Sequence, residues 1–319
     1  MSNGEQTAPQ LETSIPHTAR IWNYLLGGKD NFAADRLVGD QILAGQPALA
    51  ENARRCRAFL IRAVRYLAAE AGVRQFLDIG TGLPTANNTH EVAQSVAPEC
   101  RIVYVDNDPL VLTHARALLT SRPEGLTSYL DADMYDMDLV LREAARTLDF
   151  SEPVAILFMG VLGHVEKDEV AQSMVSKALD AVPSGSYLAL YDSAPVSPEV
   201  VEAARIWNES AALPYHLRSE DRLAQFFHGL ELVEPGLVPV TRWRPDTEAP
   251  GVEQYGGVGR KPGLLQSRVT AGHGRISGAD GGDEVVGTVV GLSGGIGDVG
   301  GAVEAVVPDR GVTEGGEHG

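Results

Sequence analysis

The chain has 319 residues, a formal net charge of −17 and 44% hydrophobic residues. This is the composition of a globular protein, and its length holds one α/β domain of about 200–250 residues with some chain left over. The acidity argues against nucleic-acid binding, because affinity for phosphates comes mostly from Lys and Arg.

Residues 1–14 are polar and lack the apolar core of a signal peptide. The chain also has no run of about 18 apolar residues that would predict a membrane span. We therefore expect a cytoplasmic protein with a disordered N-terminus. The two cysteines, Cys56 and Cys100, have no metal-ligand spacing, so we predict reduced thiols and no metal site.

Residues 15–71 predict a helical cap that precedes the sheet. Residues 17–45 indicate a helix, a turn at Gly27 and Gly28, and a second helix. Apolar residues at three- and four-residue steps then predict a long helix over residues 50–71. We interpret a run of arginines in this helix as its polar face, with a nucleic-acid patch as the less favoured alternative: Arg54, Arg55, Arg57, Arg62 and Arg65.

From residue 75 onward, strands alternate with helices, which predicts βαβ units in a mostly parallel sheet with helices on both faces. The predicted strands are Gln75–Ile79, Arg101–Asp106, Thr127–Leu130, Val154–Met159 and Ser186–Tyr191. The predicted helices are Asn88–Ala97, Pro109–Leu119, Leu139–Ala145, Glu166–Ala181, Pro198–Ala211 and Ser219–Phe227.

The pattern changes near the end of the chain. Two short strands, Glu231–Leu232 and Val238–Trp243, are close enough to form a hairpin, which would place an antiparallel strand at one side of the sheet. Residues 263–319 are rich in Gly and contain no Phe, Tyr or Trp. Such a segment buries too little apolar area to offset backbone entropy, so we predict a disordered tail.

The sharpest local signal is a glycine turn after the first strand. The strand carries Asp78, and Gly80, Thr81 and Gly82 follow before the next helix. Glycines there let backbone N–H groups approach a ligand at the carboxyl edge of a sheet. A dinucleotide site, as in an NAD-dependent oxidoreductase, would need a third glycine where Thr85 stands. An acid beside the loop suits the ammonium and sulfonium of S-adenosylmethionine instead, although a ligand-free turn stays open at this point.

The second strand also ends in an acid. Asp106 lies about 25 residues after the glycine turn, where a carboxylate can accept hydrogen bonds from both ribose hydroxyls of a nucleoside. Asn107 is adjacent and belongs to the same predicted cofactor site. Asp108 is interpreted as the N-cap of the following helix, with Pro109 at its first position. The alternative to ligand binding is that Asp106 is a solvated residue at a strand end.

A third strand is followed by Asp131, Asp133 and Met134. We predict that Asp133, rather than Asp131, accepts hydrogen bonds from the adenine amino group, while Met134 packs on the adenine ring. Carboxylates after three successive strands form one constellation, which is more specific than any of them alone.

These motifs resemble the actinobacterial S-adenosyl methyltransferase family, the type 19 methyltransferases once catalogued as a domain of unknown function. The matching segments span about residues 12–262 and are Pro16–Arg20, Tyr24–Asn31, Phe76–Thr85, Val103–Pro109 and Tyr255–Pro262. The resemblance implies a Rossmann-like class I methyltransferase fold over residues 15–262, with S-adenosylmethionine bound over the Gly80 loop. It implies no particular acceptor.

Candidates for the remaining contacts come from the cap and from the later strands. Arg20 and Tyr24 are predicted to contact the methionine carboxylate; the alternative is a cap helix that only packs on the sheet. His164 is a candidate for the general base, and the favoured alternative is a structural loop role. Tyr191 and Asp192 are further candidates on the acceptor side.

The fourth strand ends in Phe158, Met159 and Gly160, where methyltransferases that act on base or glutamine amides carry Asn or Asp before Pro-Pro-Tyr. This departure argues against a nucleic-acid acceptor. We therefore predict an S-adenosylmethionine-dependent methyltransferase that acts on a small molecule. The alternative is a regulatory protein that binds S-adenosylmethionine without catalysis.

Overall fold

The computed structural model describes residues 12–118, 121–210 and 213–263. The segments predicted to be disordered, 1–14 and 263–319, lie almost entirely outside these residues. Between them the chain folds into a helical cap followed by a sheet, as the sequence pattern predicts.

The cap begins with three helices: α1 at Thr18–Leu25, α2 at Ala33–Gly45 and α3 at Leu49–Ala69. The predicted turn between the first two helices is confirmed, and Gly27 adopts a φ of +81° there. The apolar stripe of α3 is buried and includes Phe59 and Leu60. This long helix lies against the sheet, while α1 and α2 pack against each other in a separate apolar cluster.

The sheet has eight described strands: β1 at Gln75–Ile79, β2 at Arg101–Asp106, β3 at Leu126–Asp131, β4 at Ala155–Met159, β5 at Tyr187–Ser193, β6 at Glu231–Leu232, β7 at Val238–Pro239 and β8 at Gln254–Arg260. Their order is β3-β2-β1-β4-β5-β8-β6, with β7 paired to β8. The first five strands are parallel. The strand order reverses between β1 and β4, where the carboxyl ends of parallel strands open a crevice for a ligand.

Helices cover both faces of the sheet. They are α4 at Thr89–Val96, α5 at Pro109–Leu118, α6 at Met137–Ala144, α7 at Asp168–Asp180, α8 at Pro198–Ser210 and α9 at Glu220–Gln225. Leu77 and Ile79 of β1 belong to a core with α6, α7 and residues following α9, whereas Phe76 packs with α3 and α4. This alternation confirms the predicted α/β, Rossmann-like arrangement. None of the described helices combines the length and the apolar composition of a membrane span.

Helix α8 also packs on the cap, which was predicted only for residues 15–71. Ala203 and Trp207 of α8 share a buried apolar cluster with Ile21 of α1 and Ile42 of α2. The two parts of the chain are far apart in sequence, so periodicity within each helix could not reveal their pairing.

The predicted hairpin at the end of the domain is wrong. Strands β6 and β7 pair with β8 rather than with each other, and β8 runs antiparallel between β5 and β6. Only Val238–Pro239 of the predicted last strand is extended, because Val240–Arg242 forms a 3₁₀ helix.

Glycines in β8 explain why the sequence did not predict a strand there. A Cβ atom at Gly256 would lie 2.9 Å from Cζ of Phe59, and one at Gly259 would lie 2.9 Å from Cδ1 of Phe227. Glycine weakens strand propensity but permits this close approach. The same glycines that remove the strand signal from the sequence of β8 allow this strand to pack in the core.

The close approach of β8 to Phe59 at Gly256 leaves no room for a side chain. Gly256→Ala is expected to destabilise the protein by about 1–3 kcal/mol, because the added methyl group overpacks a filled core. Urea unfolding measures the loss. Gly251→Ala is the matched control, since a Cβ there meets no atom within 4 Å, and it should change the free energy of unfolding by about 0.5 kcal/mol or less. Equal effects of the two substitutions would contradict the packing argument.

Candidate functional site

A cavity of about 270 Å³ opens at the carboxyl ends of β1, β2 and β4, beneath α1. It is far larger than the roughly 30 Å³ that one water molecule occupies, and so it has room for an organic ligand. It is lined by most of the site residues predicted from the sequence: Asp78, Gly80, Thr81, Gly82, Asp106, Asn107, Asp133, Met134 and His164.

The glycine turn forms part of the cavity wall. Gly80 and Gly82 have φ angles of +70° and +68°, a region that side chains disfavour. A Cβ atom on Gly80 would lie 2.2 Å from Cγ2 of Val161, whereas one on Gly82 would meet no atom within 4 Å. Gly80 therefore permits tight packing against the loop after β4. Gly82 leaves its backbone open at the cavity surface.

Asp106 fastens this turn to the end of β2. One carboxylate oxygen accepts a hydrogen bond from the Gly82 N–H at 2.8 Å, and the other accepts one from the Asp108 N–H at 3.0 Å. Burial raises the pKa of Asp106, and these two hydrogen bonds act against that rise. A carboxylate has about four lone-pair sites, so acceptor capacity remains for ligand hydroxyls. Asp108 caps α5 by accepting from Leu110 N–H at 2.9 Å, as predicted.

Asp78 is buried beside the same turn. Its Oδ2 accepts a hydrogen bond from the Thr89 hydroxyl at 2.6 Å. The pKa of Asp78 is raised to about 6: burial is the main cause and the nearby charge of Asp106 adds to it, while Thr89 and Arg57 oppose the rise. At neutral pH most of this carboxylate is ionised, and a cationic ligand would relieve its loss of hydration.

Arg57 of α3 also lines the cavity, and sequence analysis did not select it. Its Nη2 donates to the carbonyl oxygens of Ala86 and Asn87 at 3.2 and 3.0 Å and to Asn88 Oδ1 at 3.0 Å. Its Nε is buried without a hydrogen-bond partner among the residues that the structure describes. Arg57 is thus a cation held in place through Nη2, and its buried Nε–H stays without a partner among the described residues.

The interpretation of the arginine run as a polar face needs correction. Arg54 and Arg55 are on the surface and pair with Glu51 at 2.9 and 2.7 Å. Arg57 turns into the cavity, and Arg62 donates to the carbonyl oxygens of Trp243 and Val240. The position of Arg57 in the sequence could have indicated this orientation, because it directly follows the buried Cys56 at the edge of the apolar stripe of α3.

Arg20 and Tyr24 do not line the cavity. The Tyr24 hydroxyl donates to Asp40 at 2.6 Å, and the Arg20 guanidinium lies 3.9 Å from Asp35 and 3.8 Å from Asp108. Residues four apart share one face of a helix. The face of α1 that carries Arg20 and Tyr24 therefore turns away, and the cavity is lined by others from this segment: Thr18, Ala19, Trp22 and Asn23.

Asp133 and Met134 follow β3 and reach the cavity, whereas Asp131 does not. Asp133 is exposed, and its Oδ1 accepts a hydrogen bond from the Tyr135 N–H at 2.9 Å. The sequence preference for Asp133 over Asp131 therefore agrees with the position of each side chain.

His164 ends a 3₁₀ helix, Leu162–His164, after β4. Its Nδ1 lies 2.9 Å from the Pro214 carbonyl oxygen, which can only accept, so Nδ1 carries the hydrogen. Burial lowers the pKa of His164 to about 4, leaving a neutral ring at physiological pH. Its ring contacts those of Tyr215 and Trp207 at centroid distances of 5.0 and 6.1 Å.

Of the two acceptor-side candidates in β5, only one reaches the cavity. Tyr191 lines the cavity, whereas Asp192 lies behind it and accepts hydrogen bonds from the Tyr215 hydroxyl and the Gly163 N–H. Burial raises the pKa of Asp192 to about 7. Asp192 thus fixes Tyr215 in the cavity wall without itself reaching the cavity.

Comparison with known proteins agrees with this architecture. A family model described as S-adenosyl methyltransferase matches residues 4–262. A DUF574 family protein from Streptomyces avermitilis MA-4680 is 46% identical, with a TM-score of 0.76 over 78% of this chain and 99% of the other.

A protein from Thermobifida fusca YX, provisionally assigned as a methyltransferase, is 42% identical, with a TM-score of 0.74 over 80% of this chain and 98% of the other. No curated protein matches the chain. With its reversed strand order at β1 and its glycine turn beneath a helical cap, the chain has the Rossmann-like class I methyltransferase fold and belongs to the S-adenosyl methyltransferase family.

Proposed function

We propose that this protein transfers the methyl group of S-adenosylmethionine to a small molecule bound in the same cavity. One observation carries the proposal: Asp78, Asp106 and the backbone of Gly82 meet at a single cavity where the strand order reverses. Ligands of open α/β sheets bind at this place.

The residues present fit this cofactor. The ionised Asp78 suits the ammonium and sulfonium charges, and the free lone pairs of Asp106 suit the ribose hydroxyls. Asp133 and Met134 would hold the adenine end. Arg57, with its unpartnered buried Nε, replaces Arg20 and Tyr24 as the proposed partner of the methionine carboxylate.

The cofactor supplies an electrophilic methyl group, so the protein needs few reacting side chains of its own. Its residues align the two molecules and exclude water, which is where most of the acceleration of such a reaction arises. Helices α1 and α3 contribute to the cavity wall through Trp22 and Arg57.

His164 is the proposed proton acceptor. Because Nδ1 is committed to the Pro214 carbonyl, the neutral ring keeps a lone pair on Nε2. A hydroxyl or amine that gains a methyl group loses its proton, and Nε2 would take it. The low pKa of His164 keeps Nε2 unprotonated and able to accept a proton, but it also makes the ring a weaker base.

The ribose role of Asp106 is tested with Asp106→Asn. Loss of charged hydrogen bonds should weaken S-adenosylmethionine binding by about 1–3 kcal/mol in calorimetry. Asp131→Asn is the matched control, since Asp131 faces Asp106 across the β2–β3 register but is exposed. Unchanged affinity of the Asp106 variant would refute the role, and tighter binding of NAD than of S-adenosylmethionine would refute the proposed function.

The charge of Asp78 predicts a pH dependence. Its carboxylate ionises as pH rises through about 6, so affinity for the cationic cofactor should increase about tenfold between about pH 5 and about pH 7. Calorimetry across this range measures the increase, which Asp78→Asn should abolish.

A stability measurement serves as the control for this variant. A pKa that folding raises means that the stability contribution of Asp78 is present at low pH and is lost as pH rises through about 6. Asp78→Asn should therefore be no less stable than the native protein at about pH 8. A pH dependence that survives in this variant would assign the titration to another group.

Catalysis is tested by assaying S-adenosylhomocysteine formation across a panel of small hydroxyl and amine compounds. His164→Gln should lower the turnover rate by about 10²- to 10⁴-fold while cofactor affinity is unchanged. His228→Gln, an exposed position outside the cavity, is the control. Full activity of the His164 variant would indicate a structural role. Absence of turnover with every compound would favour the non-catalytic binding protein.

A further inference from the structure

The cavity has two chemically different halves. Its charged lining residues gather at the glycine turn and the strand ends: Arg57, Asp78, Asp106 and Asp133. The other half lies among α1, α2, α8 and the start of α3, where Ile42 and Trp207 are part of the buried apolar cluster of the cap. We call this half, lined by Trp22, Leu26, Ile42, Leu49, Ala203 and Trp207, the apolar compartment.

Gln46 is an anomaly in this compartment. It follows α2, lines the cavity and is only 2% exposed. Neither its Oε1 nor its Nε2 has a hydrogen-bond partner among the described residues. Buried polar groups are nearly always paired, and leaving one unpaired is costly. A buried amide with both ends unused therefore points to a ligand that pairs with it.

A second amide shows the same feature. Gln254 of β8 lines the cavity and is 2% exposed, and its Nε2 donates to Ser193 Oγ at 3.2 Å. Its Oε1 is buried and unpartnered within the described part of the chain. The cavity thus offers neutral donors and acceptors beyond the charged groups that suit the cofactor.

Two aromatic side chains, Trp207 of the compartment and its neighbour Tyr215, have their polar atoms already satisfied. Trp207 Nε1 donates to the Leu213 carbonyl at 3.0 Å, and the Tyr215 hydroxyl donates to Asp192. What these side chains leave to a ligand is ring surface, which packs well against another ring.

From these contacts we propose that the methyl acceptor is an uncharged aromatic compound whose hydroxyl group is recognised by the amide of Gln46. The proposal rests on the proposed function and adds the substrate class. A hydroxyl both donates and accepts, which matches the two free ends of the amide. A charged group in the apolar compartment would lose its hydration without gaining a counterion.

Three probes of similar shape test the proposal: naphthol, naphthalene and naphthoate. Quenching of tryptophan fluorescence in the full-length protein, with and without S-adenosylmethionine, reports binding, since Trp22 and Trp207 line the compartment. The native protein should bind naphthol about 3- to 10-fold more tightly than naphthalene, and naphthoate more weakly than either.

Gln46→Leu should remove the preference for naphthol over naphthalene, and Gln225→Leu, at an exposed position, should retain it. The melting temperature of the free Gln46 variant should not fall, because the amide has no protein partner to lose. A lower melting temperature would show that the amide is structural and overturn the proposal.

A titration with S-adenosylmethionine separates this inference from the function beneath it. If the cofactor fails to bind the native protein, the proposed function itself is wrong. If the cofactor binds both the native protein and Gln46→Leu, but naphthol is not preferred by the native protein, only the acceptor class is wrong. Preference for naphthoate would equally overturn the uncharged acceptor.

Discussion

Two carboxylates at neighbouring strand ends, the buried Asp78 and the half-buried Asp106, are the constraint on which the site depends. Loss of hydration raises the pKa of both, and the charge of Asp106 raises the pKa of Asp78 as well. The chain surrounds them with donors rather than leaving them exposed: the Thr89 hydroxyl, the Gly82 N–H and the Asp108 N–H. Folding thus holds negative charge in place before any ligand arrives, which is the basis of preorganised binding.

Packing elsewhere in the fold positions the other residues of the cavity around the carboxylates of Asp78 and Asp106. Glycines in β8 let the strand press against Phe59 of α3, and α3 in turn places Arg57 beside the turn. The contact between α8 and the cap closes the opposite side through Trp207. The cavity is therefore assembled by elements from the beginning, middle and end of the domain.

Local patterns in the sequence predicted the central sheet and the residues of the glycine turn, because strand periodicity and turn chemistry are encoded within a few residues. They failed where structure depends on a distant partner. No local pattern predicts the strand β8, because its glycines are explained only by a close approach to distant residues such as that of Gly256 to Phe59. Local patterns favour Arg20 as a ligand contact and place Arg57 on a polar helix face, yet the rotation of the two helices, set by packing, brings Arg57 and not Arg20 to the cavity. Gln46 carries no sequence signal, since its lack of partners is a property of the folded environment.

Because the charged and the neutral lining residues are separated, the two ends of the cavity select ligand groups of different charge. An ion placed at the glycine turn finds opposite charge, while the same ion among Trp22 and Trp207 would find only hydrocarbon and neutral amides. In the proposed reaction the cofactor and the acceptor therefore cannot exchange places, because the charge of each molecule alone decides which end of the cavity it can occupy. A cofactor that had lost its sulfonium charge would be held less firmly at the turn, so the same asymmetry that orders the reactants also favours departure of the spent one.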